Sequence, residues 1–228
     1  MVVVGFDTST PATAAAVLLD DGRAVERRHD PEPGERPGHA ARLLELLEAA
    51  LAAAGADWEQ VERIAVGAGP GGFTGLRIGI ATARALGQAR GIPLVAVGTL
   101  HALAEAAPAH HGPLLAVLDA RRGEAFAAAF APDGAVLHEP AALRPEALGA
   151  LAAGLGGAPA AVGDGAVRFR AELEAAGARV PADAAPEHRV SAAAICRLGA
   201  AGRTADRDSL LPDYRREPDA TAPRDRPG

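Results

Sequence analysis

Asp7-Thr8-Ser9-Thr10 puts a carboxylate and three hydroxyls in consecutive positions between two apolar stretches, residues 2–6 and 12–19. In a turn between strands, such hydroxyls and the backbone amides can meet a phosphate while the carboxylate reaches a hydrated metal ion. A turn closed by its own short polar side chains is the competing reading of Asp7, Thr8 and Ser9. The second cluster is a glycine-rich loop made of Gly67, Gly69, Pro70, Gly71, Gly72 and Thr74, set between a short strand at 63–67 and a helix at 74–90. Gly67, Gly69 and Gly72 fit G-x-G-x-x-G, the pattern that lets backbone approach a pyrophosphate. A dinucleotide site also wants that loop on the first strand and an acidic residue at the end of the next, where this chain has Gly98-Thr99. The nicotinamide and flavin readings fail on that context. What is left is a strand-to-helix turn that needs glycine for its backbone angles.

Composition removes further chemistry. All 23 positively charged residues are arginine, against 29 acidic ones, for a net charge of −6. Without lysine there is no Walker-type phosphate loop, no Schiff base and no serine–lysine hydrolase. Ser9, Ser191 and Ser209 are the only serines and none stands in G-x-S-x-G, so no hydrolase nucleophile is visible. The seven histidines form neither His-x-x-x-His nor His-Glu-x-x-His, and neither a metal site nor a catalytic residue is expected. His101 and Glu105, four apart on one helix, could share a cation, but a solvated helix face explains them more simply. A mildly acidic chain does not grip a nucleic-acid backbone unaided, so contact with RNA would need charge from a partner. No apolar run reaches the roughly 18 residues that span a bilayer, and residues 1–20 lack the basic start of a signal peptide. With Cys196 as the lone cysteine, the cytoplasm is the expected location, without membrane contact.

These groups must be positioned by the elements around them. Residues 39–55 read as a helix with Leu43, Leu44, Leu46, Leu47, Leu51 and Ala54 on one arc. That arc, roughly 160°, is wider than the stripe of about 100° on a one-sided surface helix. Along the second helix, Gly75, Gly79, Ala83 and Gly87 are spaced by four, a ridge almost without side chains, while Arg77, Arg84 and Gln88 lie on a separate polar face. Interior glycine costs roughly 1 kcal/mol relative to alanine, so something must approach this ridge closely: the chain's own sheet, or a second protein. Two adjacent helices with surplus small or apolar surface would make a docking face. It would use His39, Leu43 and Leu47 on the first helix, Gly75, Gly79, Ala83 and Gly87 on the second, and Arg77 as an exposed anchor. On that reading Gly79→Leu or Ala83→Leu abolishes partner capture while the chain stays folded.

The first half reads β-β-β-α-β-α-β-α, a mixed sheet with helices packed on it. After a linker at 108–113 the plan partly restarts. An apolar strand at 114–118 ends in Asp119, a second follows at 124–130, and helices near 145–155 and 168–176 flank a short strand at 160–162. A late helix at 191–202 has Ser191 as its N-cap. Asp119 matches the position of Asp7, but Ala120-Arg121-Arg122-Gly123 replaces the hydroxyls. Two halves that each open this way suggest a duplicated α/β domain: an N-terminal lobe at 1–107, a smaller C-terminal lobe at 108–217, and a disordered proline-rich tail at 218–228.

The run Ile64-Ala65-Val66-Gly67-Ala68-Gly69-Pro70-Gly71-Gly72-Phe73-Thr74-Gly75-Leu76-Arg77-Ile78-Gly79 resembles the signature of the TsaB (YeaZ) family, the dimerisation subunit for bacterial tRNA threonylcarbamoyladenosine (t6A) synthesis. Residues 4–16, 39–47, 91–103 and 119–126 extend the resemblance, as does Pro212-Asp213-Tyr214-Arg215-Arg216-Glu217-Pro218. It implies an actin-like ATPase fold (ASKHA, ribonuclease H-like), α/β, in two duplicated lobes with mixed sheets flanked by helices. It also implies a scaffold without catalysis of its own. Such a subunit pairs with its paralogue TsaD, which moves a threonylcarbamoyl group from threonylcarbamoyl-AMP to N6 of the adenosine beside the anticodon. TsaE is the ATPase partner, tRNA is met only through the complex, and the subunit forms a homodimer when alone. The paralogue's metal site uses His-x-x-x-His on the helix after the strand at 94–97; Thr99 and Leu103 stand in those places here. No cofactor is expected for the chain itself, ATP or ADP held weakly or between subunits is left open, and Asp7, Thr8 and Ser9 would be a vestigial phosphate hairpin. Two rivals come from other classes. A sugar or carboxylate kinase of the same superfold needs a second phosphate motif and an adenosine motif, where this chain shows only Gly163-Asp164-Gly165. A peptidase needs a nucleophile or metal cluster.

Overall fold

Strand β1, Val2–Asp7, is apolar on both faces because helices cover both sides of the sheet that it centres. The computed structural model of the chain describes residues 1–32, 34–206 and 209–215; the tail expected at 218–228 lies outside them. β1 pairs antiparallel with β2 (Thr13–Leu18), and β2 antiparallel with β3 (Ala24–His29). On its other side β1 pairs parallel with β4 (Val61–Gly69), and β4 parallel with β5 (Leu94–Gly98), giving the order β3-β2-β1-β4-β5. Helix α1 (His39–Ala54) joins β3 to β4, α2 (Phe73–Arg90) joins β4 to β5, and α3 (Thr99–Ala106) follows.

The second sheet repeats the first four strands of this plan and has no counterpart of β5. β6 (Leu114–Arg121), β7 (Glu124–Phe130), β8 (Val136–Leu143) and β9 (Ala160–Val162) run in the order β8-β7-β6-β9, with only the β6/β9 pair parallel. Helix α4 (Pro145–Leu155) sits between β8 and β9 as α1 sits between β3 and β4. Helices α5 (Asp164–Arg168), α6 (Arg170–Ala175) and α7 (Ala192–Ala201) follow, and short 3-10 turns lie at Trp58–Gln60 and Pro186–His188.

Period-two alternation assigns each strand's side chains to different layers. Val4 and Phe6 face Leu43, Leu47, Ile80 and Ala83 of α1 and α2. Val3 points the other way, into a core shared by Leu100 and Leu103 of α3, Ile195 of α7, and Leu118, Phe126 and Phe130 of the second sheet. Beyond that sheet, Leu115 and Val117 pack on Leu148, Ala166 and Leu173. The layers therefore run α1/α2, first sheet, α3/α7, second sheet, α4–α6. Full burial of each such side chain stabilises by roughly 1.5–3 kcal/mol.

The strands divide between the sheets at the 108–113 linker, whereas α7, placed by the sequence in the second lobe, packs on β1, β2 and β4. Gly5 lets it approach, since a Cβ there would lie 2.6 Å from Cys196 Sγ. Arg63 then donates to the carbonyls of Gly199, Ala200 and Gly202, neutralising the negative end of α7. Ser191 caps its start, accepting from the Ala194 N–H at 3.3 Å. Two departures from the sequence reading have physical causes. β8 carries Pro140, which this edge strand tolerates because the β7/β8 ladder shifts register there, between Ala127↔Ala141 and Ala129↔His138. The helix expected at 168–176 is two short ones that begin at Asp164 and break at Phe169, so its first turn includes the Asp-Gly of Gly163-Asp164-Gly165.

Candidate functional site

The turn after β1, the glycine-rich loop, the end of β6 and the start of α5 line one cleft between the sheets, about 660 Å³ in volume. Asp7 stands behind its wall, 1% exposed. The Ser9 N–H and hydroxyl both donate to its Oδ1, at 2.9 and 2.7 Å, and Oδ2 is buried without a hydrogen-bond partner. Gly67 makes room for that oxygen: a Cβ at this position would lie 1.9 Å from Oδ2. Burial drives the Asp7 carboxyl above the usual carboxylate range, outweighing the Ser9 hydrogen bonds that favour its charged form. The Thr8 hydroxyl donates to the Gly75 carbonyl at 2.7 Å. The Thr8 and Ser9 hydroxyls and one Asp7 oxygen are thus bonded within the chain, while Oδ2 is not.

The glycine-rich loop fits around that turn. Gly71 and Gly72 lie against Ser9, and the Gly72 N–H donates to the Ser9 carbonyl at 2.6 Å. Gly69 has φ of +116°, a region other residues avoid, and packs against Asp213 with Pro70 next to it. No side chain caps α2, and Phe73, Thr74 and Gly75 of its first turn line the cleft, where their amides could accept an anion. On the opposite wall the Asp119 N–H donates to Asp164 Oδ1 at 3.0 Å, and burial raises the Asp164 carboxyl. Asp119 accepts from the Arg121 N–H and pairs with the guanidinium of Arg168 at 3.3 Å.

The sequence reading assigned no role to the segment that closes this site. The Asp213 N–H donates to the Ala68 carbonyl at 2.7 Å, and the Tyr214 ring stacks on Phe73 at 5.1 Å. Arg77 lies 3.8 Å above the Phe73 ring and its Nε donates to the Tyr214 hydroxyl at 2.9 Å. The available signal was Pro212-Asp213-Tyr214, which carries the chain's only tyrosine.

The proposed docking ridge is corrected by the packing. Gly75, Gly79, Ala83 and Gly87 are all buried against the chain's own sheet. A Cβ on Gly75 would meet the Thr8 carbonyl at 1.9 Å, one on Gly79 the Thr8 hydroxyl at 2.5 Å, and one on Gly87 the Leu94 side chain at 2.6 Å. His39, Leu43 and Leu47 are buried too, with His39 Nδ1 hydrogen-bonded to the Thr13 hydroxyl at 2.8 Å. Burial, then the neighbouring His29, lowers the His39 pKa. The outer faces of the two helices carry Leu44, Glu45 and Glu48 on α1, and Thr74, Arg77, Ala81 and Ala85 on α2. The surplus apolar residue of α1 is Leu44, 50% exposed. Thr99 and Leu103, at the positions where the resemblance puts metal ligands, are fully buried. Glu105 is bound to Arg197, and His101 meets the Phe130 ring edge-on. Among the described residues, no helix is long and apolar enough to cross a membrane.

Comparison with known proteins agrees with this architecture. The family model for TsaD, tRNA N6-adenosine threonylcarbamoyltransferase, matches residues 31–158. The tRNA threonylcarbamoyladenosine biosynthesis protein TsaB of Escherichia coli is 35% identical over 135 residues, 58% of this chain and 56% of that protein. The protein of the same name in Haemophilus influenzae is 34% identical over 128 residues, 55% and 52%. The matched region spans about half the length of such curated relatives, 56% for the first and 52% for the second. The solved structure of YeaZ from Pseudomonas aeruginosa superposes with a TM-score of 0.73 at 27% identity, over 93% of this chain and 99% of that one. A second structure, described as similar to peptidase YeaZ and from the same organism, gives 0.77 at 27% identity over 94% and 99%. Two mixed sheets of repeated strand order, flanked by helices, form the actin-like ATPase fold. With the glycine-rich signature, this fold and these matches together, the chain belongs to the TsaD family and, within it, to the TsaB (YeaZ) branch.

Proposed function

We propose that this chain is a subunit without catalysis of its own that docks on a TsaD-type paralogue and supports N6-threonylcarbamoylation of the adenosine next to the anticodon in tRNA. The observation that carries this reading is the enclosure of Asp7: its carboxylate is buried against Ser9 and Gly67 and does not line the cleft. A phosphate-handling aspartate must line the cleft, and Asp7 lies buried behind its wall. Docking uses the outer faces of α1 and α2, with Leu44, Ala81 and Ala85 supplying apolar contact. A second copy of the chain occupies the same faces when the paralogue is absent, TsaE joins through the complex, and tRNA is met only there. The chain needs no cofactor of its own, and it works in the cytoplasm.

The test is reconstitution. Purified chain should bind purified paralogue, and tRNA modification should require both, with none from either alone. ADP formation with transfer of the γ-phosphoryl group from ATP to an added sugar hydroxyl, by this chain alone, would replace the reading with that of a kinase. Full modification by the paralogue in its absence would remove the supporting role.

A further inference from the structure

Resting on the docking reading, we propose that Arg77 is a pre-oriented anchor for a carboxylate on the paralogue's surface, and that Tyr214 of the C-terminal segment is the positioning residue that holds it. Arg77 is exposed on α2, yet its guanidinium is fixed on two sides. Phe73 lies beneath the plane at 3.8 Å and the Tyr214 hydroxyl accepts from Nε at 2.9 Å. Tyr214 is itself held by its stack on Phe73 and by the bond from the Asp213 N–H to Ala68. Leu210, 1% exposed, roots the same segment in the core beneath α2.

The two terminal nitrogens of Arg77 remain. No carboxylate among the described residues pairs with them, whereas Arg28, Arg42, Arg168 and Arg197 each have an acidic partner. An exposed arginine ordinarily keeps most of its rotamer freedom. Here that freedom is lost before any partner arrives, which lowers the cost of binding one. The free edge of a fixed guanidinium matches a carboxylate with two parallel hydrogen bonds, and arginine is enriched among residues that dominate interfaces. The α2 residues lining the cleft are Phe73, Thr74, Gly75 and Ile78, with Arg77 outside it. The complementary carboxylate therefore belongs to a docked protein surface and not to a small molecule in the cleft.

The experiment measures the affinity of the full chain for the purified paralogue at low and at physiological salt, with thermal melts of each variant as the folding control. Arg77→Ala should weaken binding by roughly 10- to 100-fold and flatten its salt dependence. Arg77→Lys keeps the charge without the fork and should lose nearly as much, to within about threefold. Tyr214→Phe removes only the acceptor and should cost roughly three- to tenfold, and nothing further in the Arg77→Ala background. Wild-type binding with Arg77→Ala within about twofold of it overturns the anchor and leaves the docking reading standing. A Tyr214→Phe loss of full size in the Arg77→Ala background overturns the positioning role. No association by the wild-type chain overturns both the docking reading and the anchor.

Discussion

Gly67 and Asp7 are fitted to each other across the β1/β4 pair: a Cβ on Gly67 would stand 1.9 Å from Asp7 Oδ2 and 2.9 Å from its Cγ. Neither strand can move to relieve such a contact, because both are central in the sheet. Gly67→Ala should therefore cost roughly 2–4 kcal/mol, a melting-temperature drop of about 5–15 °C for a chain of this size. Removing the carboxylate should remove the clash, so Gly67→Ala with Asp7→Ala should melt well above Gly67→Ala alone. Thermal melts of the two singles and the double check this, and additive losses would show that the contact is not the cause.

Asp7→Asn follows from the same burial. A carboxyl whose folded-state pKa lies above its unfolded value binds its proton more tightly when folded. Ionised Asp7 therefore opposes folding above the unfolded pKa of about 4, and that opposition fades as pH falls through the folded value. Asparagine keeps an oxygen for Ser9 and carries no charge. The variant should melt higher than wild type by a few degrees at neutral pH, with the difference shrinking in acid. In the reconstituted complex, tRNA modification should be unchanged. A large loss of modification with folding intact would mean that Asp7 touches the chemistry.

His39 works in the opposite direction along the pH axis. Its folded-state pKa is lowered, chiefly by burial and then by His29. Its contribution is therefore fully present above the unfolded pKa of about 6.5 and is lost as pH falls through the folded value, because protonation favours the unfolded chain. Urea unfolding of wild type should show stability falling below about pH 6.5, and His39→Asn should flatten that slope while losing some stability at neutral pH. Equal slopes would place the acid sensitivity elsewhere.

Much of the frame was legible because it rests on local rules. Gly55 and Gly91 end α1 and α2 in the left-handed conformation, and Ser191 starts α7 with its side-chain oxygen. Apolar runs that end in Asp7 and in Asp119, each followed by a second strand, exposed the duplicated plan. What stayed hidden depends on residues far apart in the chain. Whether the Asp7 carboxylate faces the cleft or the interior is decided by Gly67 and Ser9 together, and the glycine is sixty residues away. The four-residue spacing of Gly75, Gly79, Ala83 and Gly87 shows that something comes close, but not what; the answer is Thr8, Val66 and Leu94 of the same chain. β8 was masked by Pro140, which its edge position and the break in register there make tolerable. Tyr214 gave no periodic signal because its partners, Phe73 and Arg77, belong to another element.

The same geometry relocates the mutations that separate docking from folding. Gly79 sits 2.5 Å, at its notional Cβ, from the Thr8 hydroxyl that also holds the Gly75 carbonyl. Gly79→Leu should therefore disrupt the core and lower the melting temperature by more than about 10 °C, or prevent folding, so lost partner capture by that variant reports instability. Leu44 is different. It is half exposed on α1, and exchange for arginine removes apolar contact without disturbing Leu43 or Leu47 beneath it. Leu44→Arg should keep its melting temperature within about 2 °C of wild type. Placed at a desolvated interface, the unpaired charge should weaken binding to the paralogue by at least about tenfold. Ala81→Arg on α2 probes the neighbouring helix in the same way. If both arginine variants fold and bind the paralogue as wild type does, the outer faces of α1 and α2 are not where the partner docks.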